Sequence, residues 1–205
     1  MALSLTNYVD TYKAELACTI ELIDTESVAR AVEWLKHARA NRRNIFVCGN
    51  GGSASTASHF ACDIVKGGSY QREQRFKIMA LTDSLPTITA YSNDVGYDCV
   101  FAEQLKNFAA KGDVVVCISG SGNSAYVIAA MEYANSIGCQ TIALTGRDGG
   151  KLGALAQLHI SVPVWHMGRI EDAHMTICHI VAYHFMENDS PGDLVGCEST
   201  SETLA

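Results

Sequence analysis

His59 and Asp63 stand four residues apart in a segment with helical spacing, so an imidazole and a carboxylate share one helix face. Such a pair can move a proton or hold a metal ion. It follows Gly49-Asn50-Gly51-Gly52-Ser53-Ala54-Ser55, a run of small residues behind the apolar stretch Ile45-Phe46-Val47-Cys48. A loop without bulky side chains lets an anion approach backbone N–H groups, and the positive end of the following helix adds to the attraction. A second loop of the same kind, Ser119-Gly120-Ser121-Gly122-Asn123-Ser124, follows the apolar run Val114-Val115-Val116-Cys117-Ile118. It offers three hydroxyls and a helix start to a phosphate. Neither loop has the Gly-Lys-Ser/Thr ending of a Walker A motif or the spacing G-x-G-x-x-G, which disfavours a nucleotide. Each loop alone reads equally well as a tight strand-to-helix connection with Ser124 as an ordinary N-cap; two at matching positions favour a ligand.

The last helical segment carries Glu171, Asp172, His174 and His179 among apolar residues. Glu171 and His179 lie eight residues apart, about two helical turns, and can point toward one site. With His59 and Asp63 they make a set of two nitrogens and two carboxylates that suits zinc or another divalent metal, with Asp172 as an alternative to Glu171. His166, His174 and His184 are expected at solvent or an interface, and Trp165 is expected to pack.

These residues need a scaffold that brings the loops to one edge. Apolar positions at helical spacing predict helices over 4–23 and 25–40, with Thr25 and Ser27 as candidate N-caps. A leading helix outside a sheet has an apolar face to cover, which a second subunit could do. Strands are expected at 45–48, 76–81, 114–118, 141–145 and 158–162, the last stopped by Pro163. Helices are expected to follow the first small-residue loop, after Pro86, and over 100–110, 125–136 and 168–186, with residues 93–98 a loop and 146–151 leading into a short helix. Alternating strands and helices imply an α/β fold, a mainly parallel sheet with helices on both faces and ligands beyond the carboxyl ends of the strands. Residues 1–187 read as one domain including a helical extension over 1–43, and the polar stretch 188–205 reads as a disordered tail.

Composition narrows the functions. The 205 residues are 48% apolar with a formal net charge of −7, which allows a full core and argues against a broad nucleic-acid or anionic-membrane surface. No apolar run approaches the roughly 20 residues that span a bilayer, and the first ten lack the order of a signal peptide, so a cytoplasmic location is expected. The eight cysteines are scattered with no C-x-x-C pair, which fits reduced, mostly buried thiols.

The motifs CGNGGSAS, SNDVGY, ISGSGNS and LTGRDGGK and the final helix with His179, in this order, resemble the sugar isomerase (SIS) domain family and within it the phosphoheptose isomerases. The resemblance spans Ile45 to Glu187. It implies a five-stranded parallel sheet of flavodoxin-like type in a three-layer sandwich. It also implies a homotetramer with active sites between subunits, and conversion of sedoheptulose 7-phosphate to D-glycero-D-manno-heptose 7-phosphate through an enediol. By the same likeness Ser53, Ser55, Ser119, Ser121 and Ser124 would hold the phosphate, and Asn50, Gly51, Asp94 and Gly120 would contact the substrate. His59, Asp63, Glu171 and His179 would be the metal ligands, zinc being the expected ion, with Asp63 as base and His179 as acid beside Glu171. The family's usual Glu and Gln are here Asp63 and Glu171, and Gly168 stands where the family commonly has Asp. Another sugar phosphate, or a non-catalytic module that binds a partner or senses a sugar phosphate, remains as an alternative. The acid and histidine set separates the last of these, because an adaptor has no chemical need of it.

Overall fold

The computed structural model describes residues 4–188, and the tail expected beyond Asn188 lies outside the described residues. Five strands form one parallel sheet: β1 (Asn44–Cys48), β2 (Lys77–Ala80), β3 (Val114–Ser119), β4 (Gln140–Gly146) and β5 (Leu158–Val162). Their order is β2-β1-β3-β4-β5, so the chain reverses its direction of travel between β1 and β3. Crevices for ligands open where such a reversal sends the following connections to opposite faces.

The β-branched runs dictate this sheet. Every residue of β3 is buried, as a strand covered on both faces must be. The period-2 alternation divides the side chains between two cores. Ile45, Val47, Val114 and Val116 pack with α2 (Thr25–Ala40), α3 (Gly52–Lys66) and α8 (Met167–Glu187) on one face. Phe46, Cys48, Val115 and Cys117 pack on the other with α5 (Val100–Phe108), α6 (Ala125–Ile137) and α7 (Gly150–Leu155). This is the three-layer α/β/α sandwich expected. α1 (Leu5–Glu21) lies outside, tied to α8 by a Tyr12 hydroxyl that donates to Asp172 Oδ2 at 2.6 Å and by the Arg169–Glu15 ion pair. No helix among the described residues is long and apolar enough to cross a membrane.

Four local expectations are corrected. α2 is capped by Asp24, one residue before the candidates Thr25 and Ser27, because its carboxylate accepts from Ser27 N at 2.9 Å. Residues 93–98 are not wholly loop: α4 (Leu85–Asp94) runs through Asn93 and Asp94, closed by Val95 and Gly96 amides on the Tyr91 carbonyl, and Tyr97–Cys99 forms a 3₁₀ turn. Trp165 is 71% exposed and carries the Arg147 guanidinium 5.5 Å over its ring, instead of packing in the core. His174, expected at a surface, is fully buried. The phase of α8 turns Ile170, His174 and Ile177 onto one buried stripe, so the core takes an imidazole where the spacing calls for an apolar residue.

That burial has a consequence for stability. Desolvation pushes the His174 imidazole down to about 4 from 6.5, opposed by the nearby Thr145 carbonyl. Below pH 6.5 the unfolded chain therefore binds a proton that the folded chain refuses. Stability is complete above that pH and falls as the pH drops toward 4, by about 3 kcal/mol at most. Denaturant unfolding between pH 7.5 and 4.5 should show this loss, and His174→Leu should flatten the slope; equal slopes in both proteins would contradict it.

Candidate active site

β1 and β3 are neighbours in register, with Cys48 opposite Cys117, and so release their two small-residue loops side by side at the carboxyl edge of the sheet. Each loop runs into a helix whose first amides have no intrahelical acceptor. Neither helix start is closed by a side chain. Gly51 holds the cap position of α3, and Ser124 that of α6, but the Ser124 hydroxyl makes no capping bond. It lies 3.2 Å from Ser119 Oγ, which is in turn 3.5 Å from Ser121 Oγ. Three hydroxyls thus converge beside two helix N-termini, an arrangement for an anion and not for capping.

The loops line a cleft of about 220 Å³ together with Tyr126, Met167 and Glu171. Asn50, Gly51, Ser53, Ser119, Gly120, Ser121 and Ser124 are all in that lining. Ser55 and Asp94 are not: Ser55 is exposed on α3, and Asp94 is exposed at the end of α4, where it accepts from Asn93 Nδ2. The segment that carries Asp94 still reaches the site, since the Tyr97 hydroxyl donates to Asn50 Oδ1 at 2.9 Å and the Tyr97 ring meets Tyr126 edge-on. Tyr97, Tyr126 and Met167 were not singled out from the sequence. Met167 lies one helical turn before Glu171, so helical phase is the signal that could have found it; Tyr97 and Tyr126 carry no such periodic signal.

Further along α3, His59 Nε2 is 3.3 Å from Asp63 Oδ2, the i, i+4 pairing expected. α8 adds His179, whose Nε2 lies 3.2 Å from His59 Nε2 and 3.8 Å from Asp63 Oδ2. Among the described residues these form a group of donors within 4.8 Å of one another. Two imidazole nitrogens and one carboxylate oxygen are the three-ligand set of a catalytic zinc site, leaving coordination positions for water or substrate. Glu171 is not in this group. Its carboxylate stands against Gly52, so close that a Cβ there would meet the carboxylate carbon at 2.6 Å. It faces the serine cleft, about 12 Å along α8 from His179. Asp172 turns away to Tyr12. Burial first, then the Asp63 charge, push the neighbouring Cys178 thiol up to about 12, so it has no thiolate to act as nucleophile.

A five-stranded parallel sheet with a cradle of hydroxyls and helix-start amides at its switch point and an acid–histidine centre beside it describes an α/β protein equipped to hold an anionic ligand near a proton-transfer or metal centre. Residues 7–146 match the SIS domain model. A phosphoheptose isomerase of Aliarcobacter butzleri is 46% identical over 156 residues, 74% of this chain and 79% of that one. The phosphoheptose isomerase structure from Neisseria gonorrhoeae superposes with a TM-score of 0.82 at 36% identity, covering 89% of this chain and 98% of the other. That from Francisella tularensis gives 0.83 at 26% identity, covering 90% and 98%. The chain belongs to the phosphoheptose isomerase family of SIS domain proteins, and it is an isomerase.

The tightest point of the cradle is Gly122, at φ +67°, where a Cβ would collide with the Gly149 carbonyl. Gly122→Ala should cost on the order of 1–3 kcal/mol in strain alone. A lowered melting temperature and the loss of stabilisation by added phosphate are the expected readouts in thermal-shift measurements; an unchanged phosphate response would contradict this reading of the loop.

Proposed function

We propose that this isomerase interconverts sedoheptulose 7-phosphate and D-glycero-D-manno-heptose 7-phosphate, on the observation that α3 and α8, which both contribute to the lining of the serine cleft, also carry the His59–Asp63–His179 centre. The separation fits an open-chain sugar anchored by its terminal phosphate with the reacting carbons at the far end. The hydroxyls of Ser53, Ser119, Ser121 and Ser124 and the amides of Gly51 and Gly120 hold the phosphate. Asn50 and Glu171 accept hydrogen bonds from sugar hydroxyls between the two ends. Ser55 and Asp94, outside the cleft lining, complete the substrate contacts proposed from the family resemblance.

Asp63 presents Oδ2 to both imidazoles, and its other oxygen takes the proton from C1 of the ketose. His179 gives a proton to the carbonyl oxygen at C2 as the enediol forms. The reverse transfers complete the reaction: the oxygen at C1 gives up its proton to His179, and C2 receives one from Asp63. His59, Asp63 and His179 suit a divalent ion, zinc by their nitrogen and oxygen donors, and Glu171 is the fourth ligand that the family resemblance implies. Zinc, when bound there, would supply Lewis-acid polarisation of the carbonyl.

From the family resemblance we infer a homotetramer in the cytoplasm; the exposed apolar residues of α1 (Leu5, Tyr8 and Val9) and a groove of about 610 Å³ that includes Ile20, Ile23, Val28, Val32 and Ile180 offer surface for a second subunit to cover.

Purified protein supplied with zinc should exchange solvent deuterium into C1 of sedoheptulose 7-phosphate and place it at C2 of the aldose product. Asp63→Asn should lower the exchange rate by about 10²–10⁴-fold, while phosphate affinity stays near wild type. No exchange by the wild type would overturn the proposal. Light scattering of the eluted protein tests the assembly: a mass of four chains is expected, and a monomer contradicts it.

A further inference from the structure

The motif LTGRDGGK lines neither the cleft nor the His–Asp centre, yet its turn is pressed between the serine loop and a histidine. On one side, Leu152 N–H donates to the Gly122 carbonyl at 2.9 Å and Lys151 N–H donates to Asn123 Oδ1 at 3.1 Å. Gly150 sits so close that a Cβ there would lie 2.6 Å from Asn123 Nδ2 and 2.7 Å from the Gly122 carbonyl oxygen. On the other side stands His159, on β5. Its Nε2 is 2.7 Å from Thr145 Oγ1, at the end of β4. A Cβ on Gly149 would lie 2.7 Å, and one on Gly153 2.6 Å, from His159 Cε1. The imidazole therefore lies against both glycines, and the turn has no slack toward β5 or toward the serine loop. Gly149, at φ +86°, takes the left-handed conformation that this packing requires.

A half-buried polar ring would be an uneconomical filler if filling were its whole task. Its hydrogen bond to Thr145 fixes the ring plane, the ring fixes Gly149 and Gly150, and these fix Gly122 and Asn123 between Ser121 and Ser124. We propose that His159 is a positioning residue for phosphate binding: through the Gly149–Gly150 turn it holds the hydroxyls of the Ser119–Ser124 loop in their converged geometry. The inference rests on the reading of that loop as the phosphate cradle.

The test measures inorganic phosphate affinity, zinc affinity and the KM and kcat for sedoheptulose 7-phosphate in the full chain. His159→Ala leaves space beneath the turn, and displacement of an anchoring group by even a fraction of an ångström should weaken phosphate binding by about tenfold and raise KM similarly, with kcat changed by less than about twofold. His159→Gln, which retains a donor and acceptor for Thr145, should recover most of the affinity. Gly153→Ala keeps the imidazole but pushes it aside, and should resemble His159→Ala; it serves as the test should His159→Ala fail to fold. Zinc affinity should be unchanged throughout, because His59, Asp63 and His179 make none of these contacts. Wild-type phosphate binding that all three variants retain would overturn this inference alone, as would a parallel loss of zinc and phosphate affinity, which marks general unfolding. Failure of the wild type to bind either phosphate or the sugar phosphate would overturn the cradle itself and this inference with it.

Discussion

The parallel pairing of β1 with β3 is the constraint on which the site depends. It is fixed at the start of both strands by Asp113, buried to 2% exposure, whose carboxylate accepts from the amides of Asn44 and Ala110, each at 2.9 Å. A buried carboxylate is tolerable only when such donors satisfy it, and these donors belong to the segments that lead into the two strands. With the entry points clamped, Ile45 lies opposite Val114 and Cys48 opposite Cys117. The loops after them then emerge level with each other. A slip of one residue would exchange Phe46 and Cys48 with Ile45 and Val47 between the two cores, so the apolar pattern and the carboxylate enforce the same register.

The same pairing sends α3 and α6 to opposite faces, and the cleft opens between their N-termini. α3 carries both kinds of chemistry on one rod, Ser53 at its start and His59 and Asp63 one to three turns later. α8 runs beside it and repeats the division, with Met167 and Glu171 at the cleft and His179 at the centre. Two packed helices thus set the distance between the cleft and the His59–Asp63–His179 centre, and rigid elements hold such a distance better than loops would.

Much of this was legible in the sequence because the signals were local. β-branched runs marked the buried strands, small-residue loops marked the turns behind β1 and β3, and the i, i+4 spacing of His59 and Asp63 gave a pair that the fold places at 3.3 Å. What depended on tertiary phase was not legible. Glu171 and His179 share a helix, but α8 faces the cleft at one and α3's lower turns at the other, so eight-residue spacing alone did not fix a common target. His174 reads as a surface residue by type, and only packing against β4 shows it to be core. His159 carries no local signal: two of the residues it packs against, Gly149 and Gly153, have no side chains, and these contacts and its hydrogen bond to Thr145 exist only when β5 lies beside β4.

The electrostatics explain why the site is built of amides and hydroxyls. With a formal net charge of −7, the molecule as a whole does not draw in an anion. Among the described residues no Lys or Arg lines the serine cleft, and Glu171 adds a carboxylate to it. Attraction must therefore be short-ranged: uncapped helix starts, whose field falls off within a turn, and hydroxyls that act only in contact. Such a cradle selects by fit. It rewards a group with several oxygens directed at the amides and gives little to a charge that merely approaches. Glu171 repels an anion at the cleft itself, which the amides and hydroxyls must offset on contact, whereas the Asp63 charge lies with His59 and His179 in a set of three donors that suits a cation.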